Sequence, residues 1–247
     1  MAEPWNLTSE EWARVLSDGD TPQTVAQRLL RGNYLPWNEV LQRYTNDAKR
    51  ILDLGSGRGE NSAMLALQNK ETTLFDWSQE NLEFSKQVFS IIGKQARFVQ
   101  GDMTKSLPFM NDEFDVVFSC GVFEYFSDDQ ISDILKEIFR VTRRRAIILV
   151  PNAYSVFYRL GMWYMRIIKK WPWGGERPLA SLHSHFSRAG FKNIREFTVA
   201  AKHSLTFLTM PGGRTMQKIL IKLLKLHDHA QPSRFRQGYL LISVGDK

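Results

Sequence analysis

Apolar residues along this chain fall into short β-branched or aromatic runs, separated by longer stretches in which they recur every three or four positions. The runs at 51–54 (ILDL), 72–75 (TTLF), 97–100 (RFVQ), 114–119 (FDVVFS), 146–150 (AIILV), 194–200 and 239–244 (YLLISV) have the length and composition of strands. Segments between them, beginning with 61–68, carry helical spacing. Strands alternating with helices predict an α/β domain built on a mostly parallel sheet, with helices on both faces and a ligand beyond the carboxyl ends of the strands.

Other stretches lie outside that alternation. Upstream, 5–16 and 24–44 read as helices interrupted by 18–22 (DGDTP), so that 1–45 forms an N-terminal helical cap over the pocket mouth and 46–247 the main domain. After the fifth strand, 152–190 is an insert in which Tyr154, Phe157, Tyr158, Trp163, Tyr164, Trp171 and Trp173 are interleaved with Arg159, Arg166, Lys169 and Lys170. That mixture fits an amphipathic helix followed by a Pro-Gly-Gly loop. Three readings compete for it: a substrate lid, an interfacial helix that reaches a lipid-linked acceptor, and a dimer surface. Residues 143–145 (RRR) read as a solvated connection into the fifth strand, and 215–226 as a basic amphipathic helix.

The first strand runs straight into Gly55, Gly57 and Gly59. Without Cβ atoms these residues accept positive φ and let a ligand lie against the backbone at the start of a helix. Asp76 ends the second strand about twenty residues later, where an acid can accept two ribose hydroxyls; the plainer alternative is an exposed turn acid. Asp102, after the third strand, either contacts the ligand or caps its own Asp-x-Thr turn. Asp53 either orients the loop amides or meets a ligand ammonium, and Trp77 either stacks on a base or packs in the core. A nicotinamide dehydrogenase is disfavoured, because the glycine spacing lacks the later glycine of the dinucleotide fingerprint.

ILDLGSGRGE, LFD, VQGDMTKSLPF and FDVVFSCGVFEYF, in that order, resemble the four motifs of class I S-adenosylmethionine-dependent methyltransferases, and within them the type 11 small-molecule group. The resemblance covers about residues 34–197 and implies a Rossmann-like seven-stranded sheet whose last strand is antiparallel and inserted between the fifth and sixth. It implies S-adenosyl-L-methionine as cofactor. Asp53, Gly55, Ser56 and Gly57 would lie at its methionine part, Asp76 at the ribose, Trp77 over the adenine, Asp102 at the adenine amino group and Met103 on the ring. Cys120 would line the pocket. From the N-terminal region Tyr34, with Trp37 and Arg28 as further candidates, would reach the cofactor carboxylate. Relatives often carry His where Tyr125 stands, so no imidazole role is carried over. In such enzymes the insert usually shapes the acceptor pocket, which makes the lid the first choice for 152–190.

Composition fits one α/β domain with appendages, since the chain has 247 residues and 43% hydrophobic content. Cys120 is the only cysteine, which excludes an internal disulfide and fits a reducing compartment. The start, Met1-Ala2-Glu3-Pro4, lacks the pattern of a secretory signal, so a soluble, cytoplasmic protein is expected. The net charge of +7 raises nucleic acid as a partner. The cations are spread over 143–145, 169–170 and 218–225 without a recognisable module, which argues against it. Peripheral membrane contact through 155–173 remains open, and no metal site is expected. The expected activity is methyl transfer to O, N or C of a small-molecule or lipid-linked acceptor. The alternative is a cofactor-binding protein without transfer activity that acts through its basic-aromatic surface. If the acceptor loses a proton, Glu124, Tyr125 and His183 are candidate bases, with His185 and His203 behind them.

Overall fold

The computed structural model describes residues 19–224 and 237–247, so the helix expected over 5–16 lies outside the described residues. Strands β1 (Arg50–Leu54), β2 (Glu71–Asp76), β3 (Arg97–Gln100), β4 (Phe114–Cys120), β5 (Thr142–Pro151), β6 (Lys192–Val199) and β7 (Leu240–Asp246) form one sheet. Their order is β3-β2-β1-β4-β5-β7-β6. All pairs are parallel except those of β7, which runs antiparallel between β5 and β6. The topology expected from the sequence, including the inserted last strand, is borne out.

Alternation along the strands decides which helices cover which face. Ile51, Val116, Phe118, Ile147 and Leu149 point to one side, where they pack with helices α1 (Pro22–Leu30), α2 (Asn38–Thr45), α3 (Glu60–Leu67) and α4 (Gln79–Ile91). Leu52, Leu54, Val117, Ile148 and Val150 point to the other, against α5 (Asp128–Val141) and Phe186 of α7 (His183–Ala189). Residues 22–45 therefore share one hydrophobic core with the sheet. Helix α6 (Val156–Ile167) follows β5, and α8 (Gly213–Leu224) precedes β7. The last residues of the helix expected at 215–226 lie outside the described residues. No described helix is long and apolar enough to cross a membrane.

Two expectations are corrected. The helix expected over 24–44 is two helices: Thr21 and Thr24 form a capping box ahead of Pro22, which starts α1, and Gly32 at φ 71° ends it. Asn38 then starts α2, its Oδ1 accepting from the Leu35 N–H at 2.6 Å. Residues 143–145 are not a connection, because β5 begins at Thr142. At that end of the sheet the backbone stays in the ladder while the side chains reach the edge, where Arg145 Nε donates to Asp246 Oδ1 at 2.8 Å.

Helix α6 rests on the 3₁₀ turn His203–Phe207 through Gly161, where an added Cβ would stand 2.1 Å from the Phe207 carbonyl oxygen. Gly161→Ala should therefore destabilise the protein by about 1–3 kcal/mol. Thermal unfolding reads this as about 2–4 °C of Tm per kcal/mol in a chain of this size. An unchanged Tm would mean that α6 does not sit against Phe207.

Candidate active site

The strand order reverses between β1 and β4, and the turn after β1 opens into that crevice. Gly55, Gly57 and Gly59 take φ of 76°, 50° and 71°. The N–H groups of Gly55 and Ser56 both donate to the Phe75 carbonyl, at 2.8 and 3.1 Å, and Gly57 N–H donates to Asp76 Oδ2 at 2.7 Å. Ser78 N–H donates to the other oxygen, Oδ1, at 2.9 Å. A Cβ on Gly59 would stand 2.5 Å from Leu74 Cδ2, and one on Gly55 would stand 2.7 Å from Val122 Cγ2 and 2.9 Å from Met103 Cε. Ser56 Oγ is buried in the turn and has no hydrogen-bond partner among the described residues.

Three acids surround this turn in different states. Asp53 is buried on the α3 side and takes one hydrogen bond, from Ser62 Oγ at 2.7 Å. Burial, and secondarily the charge of Asp76, pushes its carboxyl up to about 7. Asp76 is also buried and raised by desolvation, against which its backbone hydrogen bonds act. Asp102 is exposed, and its Oδ1 accepts from the N–H and hydroxyl of Thr104 at 2.8 and 2.7 Å, which is the turn chemistry of its Asp-x-Thr sequence. Met103 is buried, whereas Trp77 and Tyr34 each remain 38% exposed.

Cys120, at the tip of β4, links this turn to a second group of acids. Its thiol lies by Asn61, Asp53 and Glu124, and burial raises it far above its ordinary value. Glu124 stands in the 3₁₀ turn Phe123–Tyr125, buried, and its Oε2 has no hydrogen-bond partner among the described residues. Burial first, then the charge of Glu176, raises its carboxyl well above the usual range. Glu176 is buried too and accepts a hydrogen bond from the Tyr158 hydroxyl on Oε1. Its carboxyl is pushed up to about 7 by burial, opposed by Tyr158 and Arg166. The main chains of both acids are held by arginines. Arg177 N–H donates to the Glu124 carbonyl at 3.0 Å, and the Arg166 guanidinium to the Glu176 carbonyl at 2.6 Å.

Rings from four parts of the chain close around these acids. Tyr239 lies 5.1 Å from Tyr158, 4.9 Å from Phe207 and 5.2 Å from His203, and Trp37 meets His203 edge-on at 5.3 Å. Trp171 and Trp173 stack edge-to-face at 4.9 Å. Tyr239 and Cys120 are strongly desolvated yet keep partly open surface, as side chains lining an enclosed cleft do. Beside α6 a second cavity of about 540 Å³ is lined by Arg159, Met162, Arg166, Glu176 and Arg177.

Several candidates stand elsewhere. His183 is exposed at the start of α7, a helix that packs on α5 and β6. His185 lies 3.0 Å from Ser132 Oγ through Nδ1, and burial lowers its pKa. Arg28 is held by Asp20 and Glu60 at 3.0 and 2.7 Å. Trp37 packs against the core with the rings. Tyr125 is buried, its hydroxyl raised by burial and by Glu124 and Glu176. Glu176 and Tyr239 were not among the candidates. Glu176 closes the element 171–176 (WPWGGE), whose make-up resembles one in type 11 sequences without giving the acid a role, and Tyr239 opens the run expected as the last strand.

Residues 51–145 match the profile of a family described as a methyltransferase domain. The putative methyltransferase YqeM of Bacillus subtilis is 33% identical over 126 residues, 50% of this chain and 50% of that protein. The chain spans half or less of the length of the curated relatives it matches. A Thermotoga maritima structure described as an S-adenosylmethionine-dependent methyltransferase, possibly for histamine, has a TM-score of 0.57 at 16% identity, covering 81% of this chain and 82% of that one. Magnesium protoporphyrin IX methyltransferase from Synechocystis, with bound S-adenosylhomocysteine, has a TM-score of 0.60 at 14% identity over 96% and 93%. These likenesses establish the fold, and the resemblance drawn from the motifs is borne out.

The raised Asp53 carboxyl makes the cofactor-free protein pH-sensitive. At pH below about 4 it is protonated both folded and unfolded. Between its usual value of 3.8 and about 7 only the unfolded chain releases the proton, so this group lowers stability as pH rises through that window and no further above it. Asp53→Asn removes the effect. The Tm of the variant should gain on the wild type from pH 4 to 7 and run parallel above, and a pH-independent difference would contradict the assignment.

Proposed function

We infer that this chain, whose residues 51–145 are a methyltransferase domain within the S-adenosylmethionine-dependent methyltransferase fold, moves a methyl group to O, N or C of a small-molecule or lipid-linked acceptor. One observation carries the reading. The Cys120 thiol, at the tip of β4, lies by Asp53 at the glycine turn and by Glu124, whose buried Oε2 has no hydrogen-bond partner among the described residues.

The residues around the turn fit the donor. Asp53 has one hydrogen bond and no cation among its electrostatic partners, which leaves a buried carboxylate suited to the methionine ammonium. The orphaned Ser56 hydroxyl and the open faces of Gly55 and Gly57 would lie along the methionine part. Each Asp76 oxygen takes an N–H, from Gly57 or Ser78, and the carboxyl also meets the Asn81 side chain and the Trp77 N–H, so a ribose hydroxyl would join or displace these partners. Trp77 and Met103 would bracket the adenine, Asp102 would meet its amino group, and Tyr34 would reach the carboxylate. The bound sulfonium supplies an electrophilic methyl group, so the protein has mainly to align the acceptor and exclude water.

The ring cluster and the loop 171–176 serve as the lid of the acceptor side. Glu124 and Glu176 feel each other's charge and titrate as a pair, one ionising before the other. The ionised member takes the proton that an O–H or N–H acceptor loses on methylation. A cytoplasmic setting, in which Cys120 stays reduced, belongs to the same reading.

Calorimetry with S-adenosylhomocysteine tests it, and a folded sample that binds none overturns it. Affinity should rise with pH and level off above about 7, as Asp53 ionises. Glu124→Gln should leave that affinity within about twofold. It should lower methyl incorporation from labelled S-adenosylmethionine into cell-extract metabolites by about 10²-fold, the scale of a lost general base. Undiminished incorporation would remove Glu124 from the chemistry.

A further inference from the structure

Helices α6 and α8 turn apolar stripes outward. On α6 Val156, Leu160, Trp163 and Ile167 follow one another at spacings of four, three and four residues and are all exposed, Trp163 at 60%. The opposite side of the helix, Tyr158, Gly161 and Met162, is the side that is buried. On α8 Met216, Ile219, Leu223 and Leu224 form a second exposed stripe, Leu223 at 71%, and the helix buries only Gly213. Contiguous apolar surface of this kind marks an interaction site.

Both helices are fixed to one short segment. Gly161 brings α6 against Phe207. Gly213 seats the start of α8 against the Leu208 carbonyl, to which Gln217 Nε2 also donates at 3.2 Å. The two stripes therefore spring from the same corner of the molecule.

The charge around them is of one sign. Residues 154–175 contain Arg159, Arg166, Lys169 and Lys170 and no acid, and residues 210–224 contain Arg214, Lys218 and Lys222 and no acid. Arg159 and Arg166 flank the α6 stripe, and Lys218 and Lys222 lie along the side of α8 away from its apolar residues. Among the described residues none of Lys169, Lys170, Lys218 and Lys222 forms a salt bridge with an acid. A second copy docked on this face would set these cations against their own kind, with only the buried Glu176, beside Arg166, to offset them. Anionic lipid headgroups complement them, while the bilayer's acyl boundary takes Trp163, Ile167 and Leu223.

We propose that α6 and α8 dock this protein on an anionic membrane surface, beside the acceptor cleft behind Tyr158. The proposal stands apart from the methyl-transfer reading, because its readout is membrane partition and needs no turnover.

Co-sedimentation with vesicles of phosphatidylcholine, with and without phosphatidylglycerol, provides the test. The wild type should bind the phosphatidylglycerol vesicles, bind phosphatidylcholine alone at least about tenfold more weakly, and weaken with added salt. The double variants Trp163→Ser/Ile167→Ser and Lys218→Glu/Lys222→Glu should each lose about tenfold or more in partition. Their thermal unfolding and S-adenosylhomocysteine calorimetry should match the wild type, which excludes misfolding. Absence of binding to the anionic vesicles overturns the proposal, as does binding that neither double variant diminishes. Light scattering that finds a wild-type dimer made monomeric by Trp163→Ser/Ile167→Ser also overturns it and assigns the face to a second copy.

Discussion

The tip of β2 holds the turn that follows β1, and the site depends on that attachment. Three successive N–H groups, of Gly55, Ser56 and Gly57, donate to the Phe75 carbonyl and to Asp76. The turn thus satisfies these three amides on the neighbouring strand, while Gly59 N–H closes on the Ser56 carbonyl at 2.9 Å, and Gly55, Gly57 and Gly59 supply the positive φ angles this path takes. Leu74 and Ser85 leave no room for a side chain at Gly59, so the entry to α3 is set as well. Asp53 and its partner Ser62 on α3 are placed by the same attachment. A buried carboxylate at Asp76 is tolerable because the backbone N–H groups it accepts offset part of its desolvation.

The second wall follows a different logic. Glu124 and Glu176 lie buried beside aromatic rings, desolvation raises both, and the charge of Glu176 adds to the shift at Glu124. Desolvated in this way, such acids favour their neutral forms, although Arg166 opposes the shift at Glu176, and a positively charged guest restores ionisation. The enclosure therefore couples occupancy to charge. Its geometry rests on main-chain anchors, the Arg177 N–H and the Arg166 guanidinium, which leave the carboxyl groups to the cleft.

Helices α5 and α6 are both amphipathic and use that property in opposite directions. The stripe of α5, Ile131, Ile134, Leu135 and Ile138, is buried on the sheet. That of α6 faces out, because Gly161 gives the polar-flanked side of the helix a closer approach to Phe207 than any larger residue would permit. Periodicity alone cannot tell these cases apart, since it reports that a helix has two faces and says nothing of what meets each one.

What the sequence determined by itself was everything carried by local signals. β3 spans the run Arg97–Gln100 end to end, and the glycine turn, the acid at position 76 and the order of the motifs were all legible. These depend on the intrinsic conformational preferences of neighbouring residues, which survive without tertiary context. The tertiary structure alone decided that 143–145 joins β5 and that Arg28 is held by Asp20 and Glu60. It alone brought Glu176 and Tyr239 to Glu124 and Trp37. Contacts between residues so far apart in the chain leave no periodic trace, because burial and desolvation arise only when the segments have packed.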